Sequence, residues 1–328
     1  MTGDPLRPPH ARPRGVRAVV RRRALALAGG GAALLVLVYL LAVRTGAGQR
    51  WEESVLRGAG SSGLVSTGQA LSALDLVNTG SLAVAVVVIA GVGFLRGGPA
   101  LAAAAAGTVG CCAIAAELLK DTLLSRPALL PELAYRLHNS LPSGHSTVAM
   151  SVVAGLLLVL PHRWRAPVVC APLVWAVSVG GYTVNERWHR PSDVVAANLL
   201  VLAVTGVALL FLAARGAVRR ARPTRSRWWS SAVLLVAPLV LAAGAALVVL
   251  LIGAPSDGPG GDADNGVLGM ALAFASSALS GLALLAAVRG VDLGRARPRA
   301  DDEWSLDDPS EPARGNGVHK ARGTQPVR

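Results

Sequence analysis

The stretch VVAANLLVLAVTGVALLFLAA, Val194 to Ala214, carries no Asp, Glu, Lys, Arg or His. As a helix rising about 1.5 Å per residue it is about 30 Å long, the thickness of a bilayer's hydrocarbon core. A helix is also the form that satisfies its own backbone N–H and C=O groups where no water is available. Similar blocks recur at Ala24–Val43, Val77–Leu95, Pro99–Leu119, Ser146–Leu160, Ala166–Tyr182, Trp228–Gly253 and Val267–Val288. With 52% hydrophobic and 16% charged residues over 328 positions, this pattern excludes a soluble core. It predicts an all-α polytopic membrane bundle of eight helices.

The formal net charge of +13 is almost entirely arginine, gathered in tails and short loops. No aromatic or glycine-rich reading element accompanies these basic runs, so they argue for membrane orientation and against nucleic acid. Arg7, Arg12, Arg14, Arg17, Arg21, Arg22 and Arg23 crowd the N-terminal segment, and Arg215–Arg227 carries six arginines with no acid. Both are expected in the cytoplasm, with six crossings between them. The outer connections are then Gln49–Asn78, Lys120–His145, Thr183–Asp193 and the acidic Ala254–Gly266. Gln49–Leu76 reads as short helices lying at the interface over the outer face, and equally as a solvated connector.

The expected organisation is a basic cytoplasmic tail (1–23), a six-helix core (24–214), a basic linker (215–227), a two-helix membrane extension (228–288) turned toward lipid or a partner, and a disordered tail (289–328) of mixed charge with Pro and Gly. Ala24–Val43 is too long for a signal-peptide core and lacks an A-x-A exit, so it reads as a spanning helix. Cys111, Cys112 and Cys170 lie inside apolar blocks and read as small buried hydrophobes. Arginine outnumbers lysine thirty to two, and Ala, Gly and Val abound, which suggests a GC-rich bacterial genome and a bacterial plasma membrane.

The chemistry-bearing residues fall in two of the outer connections: Lys120, Arg126-Pro127, Pro142-Ser143-Gly144-His145, and NERWHRPSDV with His189 and Asp193. Lys120 reads as an interfacial anchor or an i, i+3 partner of Glu117, yet a lysine in so lysine-poor a chain points to a specific role. Ser143-Gly144 reads as a helix cap and equally as a nest of N–H groups for an anion. His189 and Asp193, spaced i, i+4, share one face if the sixth helix starts near them, and the carboxylate then holds the imidazole tautomer. A metal pair is the rival reading of H-x-x-x-D, but no third or fourth ligand of the right type lies close in sequence, so neither metal nor cofactor is expected. Two cations, a nest of N–H groups, a carboxylate-backed histidine and a second histidine together suit phosphoryl transfer at a membrane surface.

KDTLLSRP (120–127), PSGH (142–145) and HRPSD (189–193) resemble the three-part signature of the type 2 phosphatidic acid phosphatase superfamily, the lipid phosphate phosphatases. The resemblance implies a metal-independent, two-step hydrolysis. His189 would be the nucleophile, Asp193 its orienting partner, and His145 the acid for the leaving alcohol. Lys120, Arg126, Ser143 and Gly144 would bind the phosphoryl oxygens. The chain departs from the pattern twice. The Lys-to-Arg spacing is one residue short, and Tyr182-Thr183 stand where the family has Ser-Arg ahead of the nucleophile. Arg187 or Arg190 would then replace the lost cation, and Arg190, beside the nucleophile and ahead of Pro191, is preferred.

The favoured function is a membrane phosphatase acting on a lipid phosphate or diphosphate, such as phosphatidate or a polyprenyl diphosphate, at the extracytoplasmic face. A degenerate, non-catalytic membrane protein with an anion site and a phosphotransferase using the same histidine are the alternatives. Spanning blocks with almost no charge apart from Glu117 argue against a transporter.

Overall fold

The computed structural model describes residues 15–60, 65–130, 138–221 and 259–294. Helix α1 (Val16–Val38) ends in a π turn (Tyr39–Val43), and the short helices α2 (Gly46–Gly58) and α3 (Thr67–Leu74) follow. Next come α4 (Thr79–Gly97), α5 (Pro99–Leu118) with its own terminal π turn (Leu119–Leu123), α6 (Gly144–Val159), α7 (His162–Asn185), α8 (Pro191–Ala214) and α9 (Pro259–Ala287). Strands β1 (Val218–Arg220) and β2 (Val291–Leu293) pair antiparallel. Among the described residues six helical segments, drawn from α1, α4, α5, α7, α8 and α9, are long and apolar enough to cross a bilayer, and α6 is apolar but shorter. The chain is an all-α polytopic membrane protein. The expected span Trp228–Gly253 lies outside the described residues.

Helix starts are set by capping rather than by the edges of the apolar blocks. Ser143 caps α6 by accepting from the Ser146 N–H at 3.3 Å, so α6 begins at Gly144 and takes in His145. Pro191 opens α8 with its φ already helical. Between α4 and α5 the chain reverses at Gly98, whose φ of 72° suits a residue without a Cβ, and Pro99 starts the next helix. His162–Arg165, between the expected spans Ser146–Leu160 and Ala166–Tyr182, form the first turn of α7.

Helix α8 is the innermost member, packed along α1, α5, α6 and α9. Its approach to α1 depends on glycine: a Cβ on Gly31 would sit 2.7 Å from the Leu199 carbonyl oxygen. Outward faces are apolar, with Val87 70% and Leu95 83% exposed on α4.

Two expectations are corrected. Helix α9 is not turned away from the core toward lipid or a partner; it packs against α2, α7 and α8. Its inner face carries Gly266, Gly269, Ala273, Ser277 and Gly281, small enough for close approach, and the Asn198 amide of α8 donates to Ser277 Oγ at 2.9 Å. The linker and the start of the supposed disordered tail meet in the β1–β2 ribbon. There Arg165 donates to the Val288 and Val291 carbonyls at 3.0 and 2.6 Å, Arg23 donates to the Arg289 carbonyl at 2.8 Å, and Arg96 pairs with Asp292 at 3.3 Å. Arginines at this end serve carbonyls of the turn and strand that follow α9.

Candidate active site

The corner between α7 and α8 places the histidine–carboxylate pair. At its tip Arg187 adopts a left-handed φ of 61° and donates to the Ala59 carbonyl at 2.8 and 3.2 Å, tying the corner to the end of α2. The His189 N–H then donates to the Thr183 carbonyl at 3.1 Å. His189 Nδ1 lies 3.2 Å from Asp193 Oδ2. That oxygen also accepts from Ser140 Oγ at 2.7 Å and from the Arg190 N–H at 2.9 Å. The spacing was expected to put both residues on one helix face. Instead His189 precedes the helix and Asp193 lies in its first turn, because Arg190 is the cap and Pro191 the first helical residue. Contact is made all the same, and with Nδ1 engaged the ring nitrogen left for a substrate is Nε2.

His145 enters from the first turn of α6, its ring centroid 6.4 Å from that of His189 and 5.3 Å from Trp188. Burial pushes its pKa below the ordinary histidine value, and the charges of His189 and Lys120 push the same way. Ser143 is buried, and its own N–H is spent on the Asp193 carbonyl at 3.0 Å. The first-turn N–H groups of Gly144 and His145, which have no partner within a helix, are therefore the donors of this turn that could meet an anion.

Lys120, in the π turn that ends α5, pairs with Glu117 at 2.7 Å. A Cβ on Gly144 would come 3.6 Å from Glu117 Oε1, so the pair borders the PSGH turn. The Arg126 side chain is almost wholly buried, with Nη2 2.6 Å from Glu52 Oε2 and Nη1 without a hydrogen-bond partner among the described residues. Burial drives the Glu52 pKa upward and the charge of Asp193 adds to it, while Arg126 and Ser192 oppose the shift.

Thr183 supplies no cation substitute: it is buried, and its hydroxyl donates to the Gly180 carbonyl at 2.9 Å. Of the two arginines weighed for that role, Arg187 is drawn away to α2. Arg190 stays in the site, mostly buried, with Nη1 donating to Ser140 Oγ at 3.1 Å. Ser140 and Glu52 were missed in the sequence. Ser140 sits two residues ahead of PSGH with nothing local to mark it. Glu52 carried one signal, an acidic pair in WEES on a short helix otherwise able to pack.

Among the described residues no group of three or more His, Cys, Asp and Glu side chains is placed to hold a metal ion. No curated protein and no solved structure matches the chain. The family model of the PAP2 superfamily matches residues 72–217, from the end of α3 to just past α8, a span that includes Lys120, Arg126, the PSGH turn, His189 and Asp193. Over that region, somewhat under half of the chain, and with its signature residues gathered at one end of a membrane bundle, the chain is similar to the PAP2 superfamily.

Proposed function

We propose that the protein is a membrane phosphatase that hydrolyses a lipid phosphate or diphosphate through a phosphohistidine on His189. The observation that carries this reading is the His189–Asp193 contact at 3.2 Å with His145 opposite, ring centroids 6.4 Å apart. A tetrahedral phosphoryl group can bridge such a gap. His189 Nε2 attacks phosphorus, the bond to the lipid oxygen breaks, and imidazolium His145 gives that oxygen its proton. A water then attacks phosphorus, neutral His145 takes the proton, and the P–N bond breaks to release phosphate and free His189. Lys120, Arg126, Arg190 and the first-turn N–H groups of α6 bind the phosphoryl oxygens. The arginine distribution supports an extracytoplasmic site in a bacterial plasma membrane, with the lipid tail remaining in the bilayer.

The test is phosphate release by purified protein in detergent, with chelator present, from a panel including phosphatidate and a polyprenyl diphosphate. Release is expected, with an acid-labile phosphoryl group trapped on the protein, and both should vanish in His189→Ala. Activity lost on chelation and restored by a divalent ion would replace this mechanism with metal-assisted hydrolysis. Transfer to an added alcohol in preference to water would make the protein a phosphotransferase.

A further inference from the structure

We propose that Glu52, on a helix outside the family-matched span, is a positioning residue that holds Arg126 with its Nη1 turned to the phosphoryl group; this rests on the phosphatase reading. Helix α2 grips the Arg126-Pro127 dipeptide at two points one turn apart. Gln49 Nε2 donates to the Pro127 carbonyl at 2.9 Å, and Glu52 Oε2 accepts from Arg126 Nη2 at 2.6 Å. Positions i and i+3 lie on one helix face, so both contacts come from a single surface of α2.

The pair leaves one polar atom open on each partner. Glu52 is fully buried and engages one side of the guanidinium through Oε2, while Nη1 on the other side and Glu52 Oε1 are buried without a partner among the described residues. A buried ion pair gains little stability over apolar residues of the same volume, because desolvation consumes most of the attraction. A buried donor left open is a further cost unless something fills it. Arg190 lies near enough for the two guanidinium charges to oppose one another. The arrangement thus holds two guanidinium groups near each other, with the carboxylates of Asp193, Glu52 and Glu53 acting on Arg190, and leaves one nitrogen of Arg126 open toward the site.

Helix α2 is itself anchored away from the site. Ser54 Oγ and the Arg57 guanidinium donate to Asp262 of α9 at 2.5, 2.8 and 3.1 Å, and Arg187 reaches the Ala59 carbonyl. Arg126 is therefore set by elements before and after the matched region, and not by its own loop alone.

The experiment uses the full chain in detergent and two readouts: binding of inorganic phosphate, measured as thermal stabilisation, and steady-state turnover of a lipid phosphate. Glu52→Gln is expected to weaken phosphate binding and raise KM by about 10- to 100-fold, the scale of one charge-assisted contact, with Glu52→Asp intermediate. The loss should disappear when Glu52→Gln is made in an Arg126→Ala background, since a residue acting through Arg126 has nothing left to position. The same loss in that background, or unchanged phosphate binding in Glu52→Gln, overturns the inference. So does failure of both Glu52 variants to fold, which would make the acid structural. The phosphatase reading fails separately, if the unaltered chain binds phosphate yet turns over no lipid phosphate; the binding arm still decides for Glu52. Absence of phosphate binding by the unaltered chain overturns both.

Discussion

A guanidinium beside a histidine that attacks phosphorus can stabilise charge on the phosphoryl oxygens as the transition state forms, and in the proposed mechanism Arg190 would do so where Thr183 cannot. Arg190→Ala is expected to lower turnover by about 10- to 100-fold. Arg187→Ala, which frees the Ala59 carbonyl, should lower thermal stability but leave turnover per folded molecule within about threefold. The reverse ranking in phosphate-release assays would sink the assignment. The same scale governs pH. His145 must carry a proton to act as the acid, and burial holds its pKa below the ordinary histidine value of about 6.5. kcat/KM, which reports the free protein, should therefore fall as pH rises through a value below about 6.5. His145→Asn should remove that limb and cost about 100-fold or more in rate. An alkaline limb that persists in the variant would assign the acid elsewhere. These residues were legible because each is a polar group placed against an apolar block, where it is conspicuous. Glu52 and Ser140 were not, since their partners Arg126 and Asp193 are distant in the chain and only folding joins them.

At the scale of elements, apolar length located the helices and capping chemistry set their ends. Ser146 and Val194 mark where hydrophobicity begins, while Ser143 and Pro191 mark where the backbone turns helical, and the site lives in the difference: His145 and Asp193 lie in those first turns. The small-residue face of α9 was written in the sequence but is invisible to a search for apolar length alone. Two substitutions separate close packing from surface charge. A Cβ on Gly269 would run into Val55 and come 3.0 Å from Pro191 Cγ at the start of α8. Gly269→Val is expected to cost about 1–3 kcal/mol by overpacking and to reduce turnover by shifting α8 beneath His189. Asp262→Asn removes an ion pair to Arg57, whose side chain is 53% exposed, and should cost less, about 0.2–1 kcal/mol. Thermal unfolding in detergent checks the order; a harmless Gly269→Val would show that α9 does not press on α2 and α8.

For the whole molecule, the arginines divide the two ends, and the division has a mechanistic consequence. One end carries Arg23, Arg96, Arg165 and the β1–β2 ribbon, where guanidinium groups serve backbone carbonyls. The other carries His145, His189, Glu52 and the corner at Arg187. Basic residues are retained on the cytoplasmic side during insertion, so the ribbon end should be cytoplasmic and the phosphoryl chemistry outside. A lipid substrate would then reach the site from the outer leaflet with its tail still in the bilayer. In a chain with Cys111, Cys112 and Cys170 replaced, a single cysteine at exposed Gln69 on α3 should react in intact cells with a membrane-impermeant thiol reagent. One at exposed Arg219 on β1 should react only after the membrane is opened. Both positions are clear of the site, so turnover can be measured on the same proteins to show that they are folded. Labelling of Arg219→Cys alone would invert the protein, move His189 to the cytoplasm, and make the inner leaflet the source of substrate.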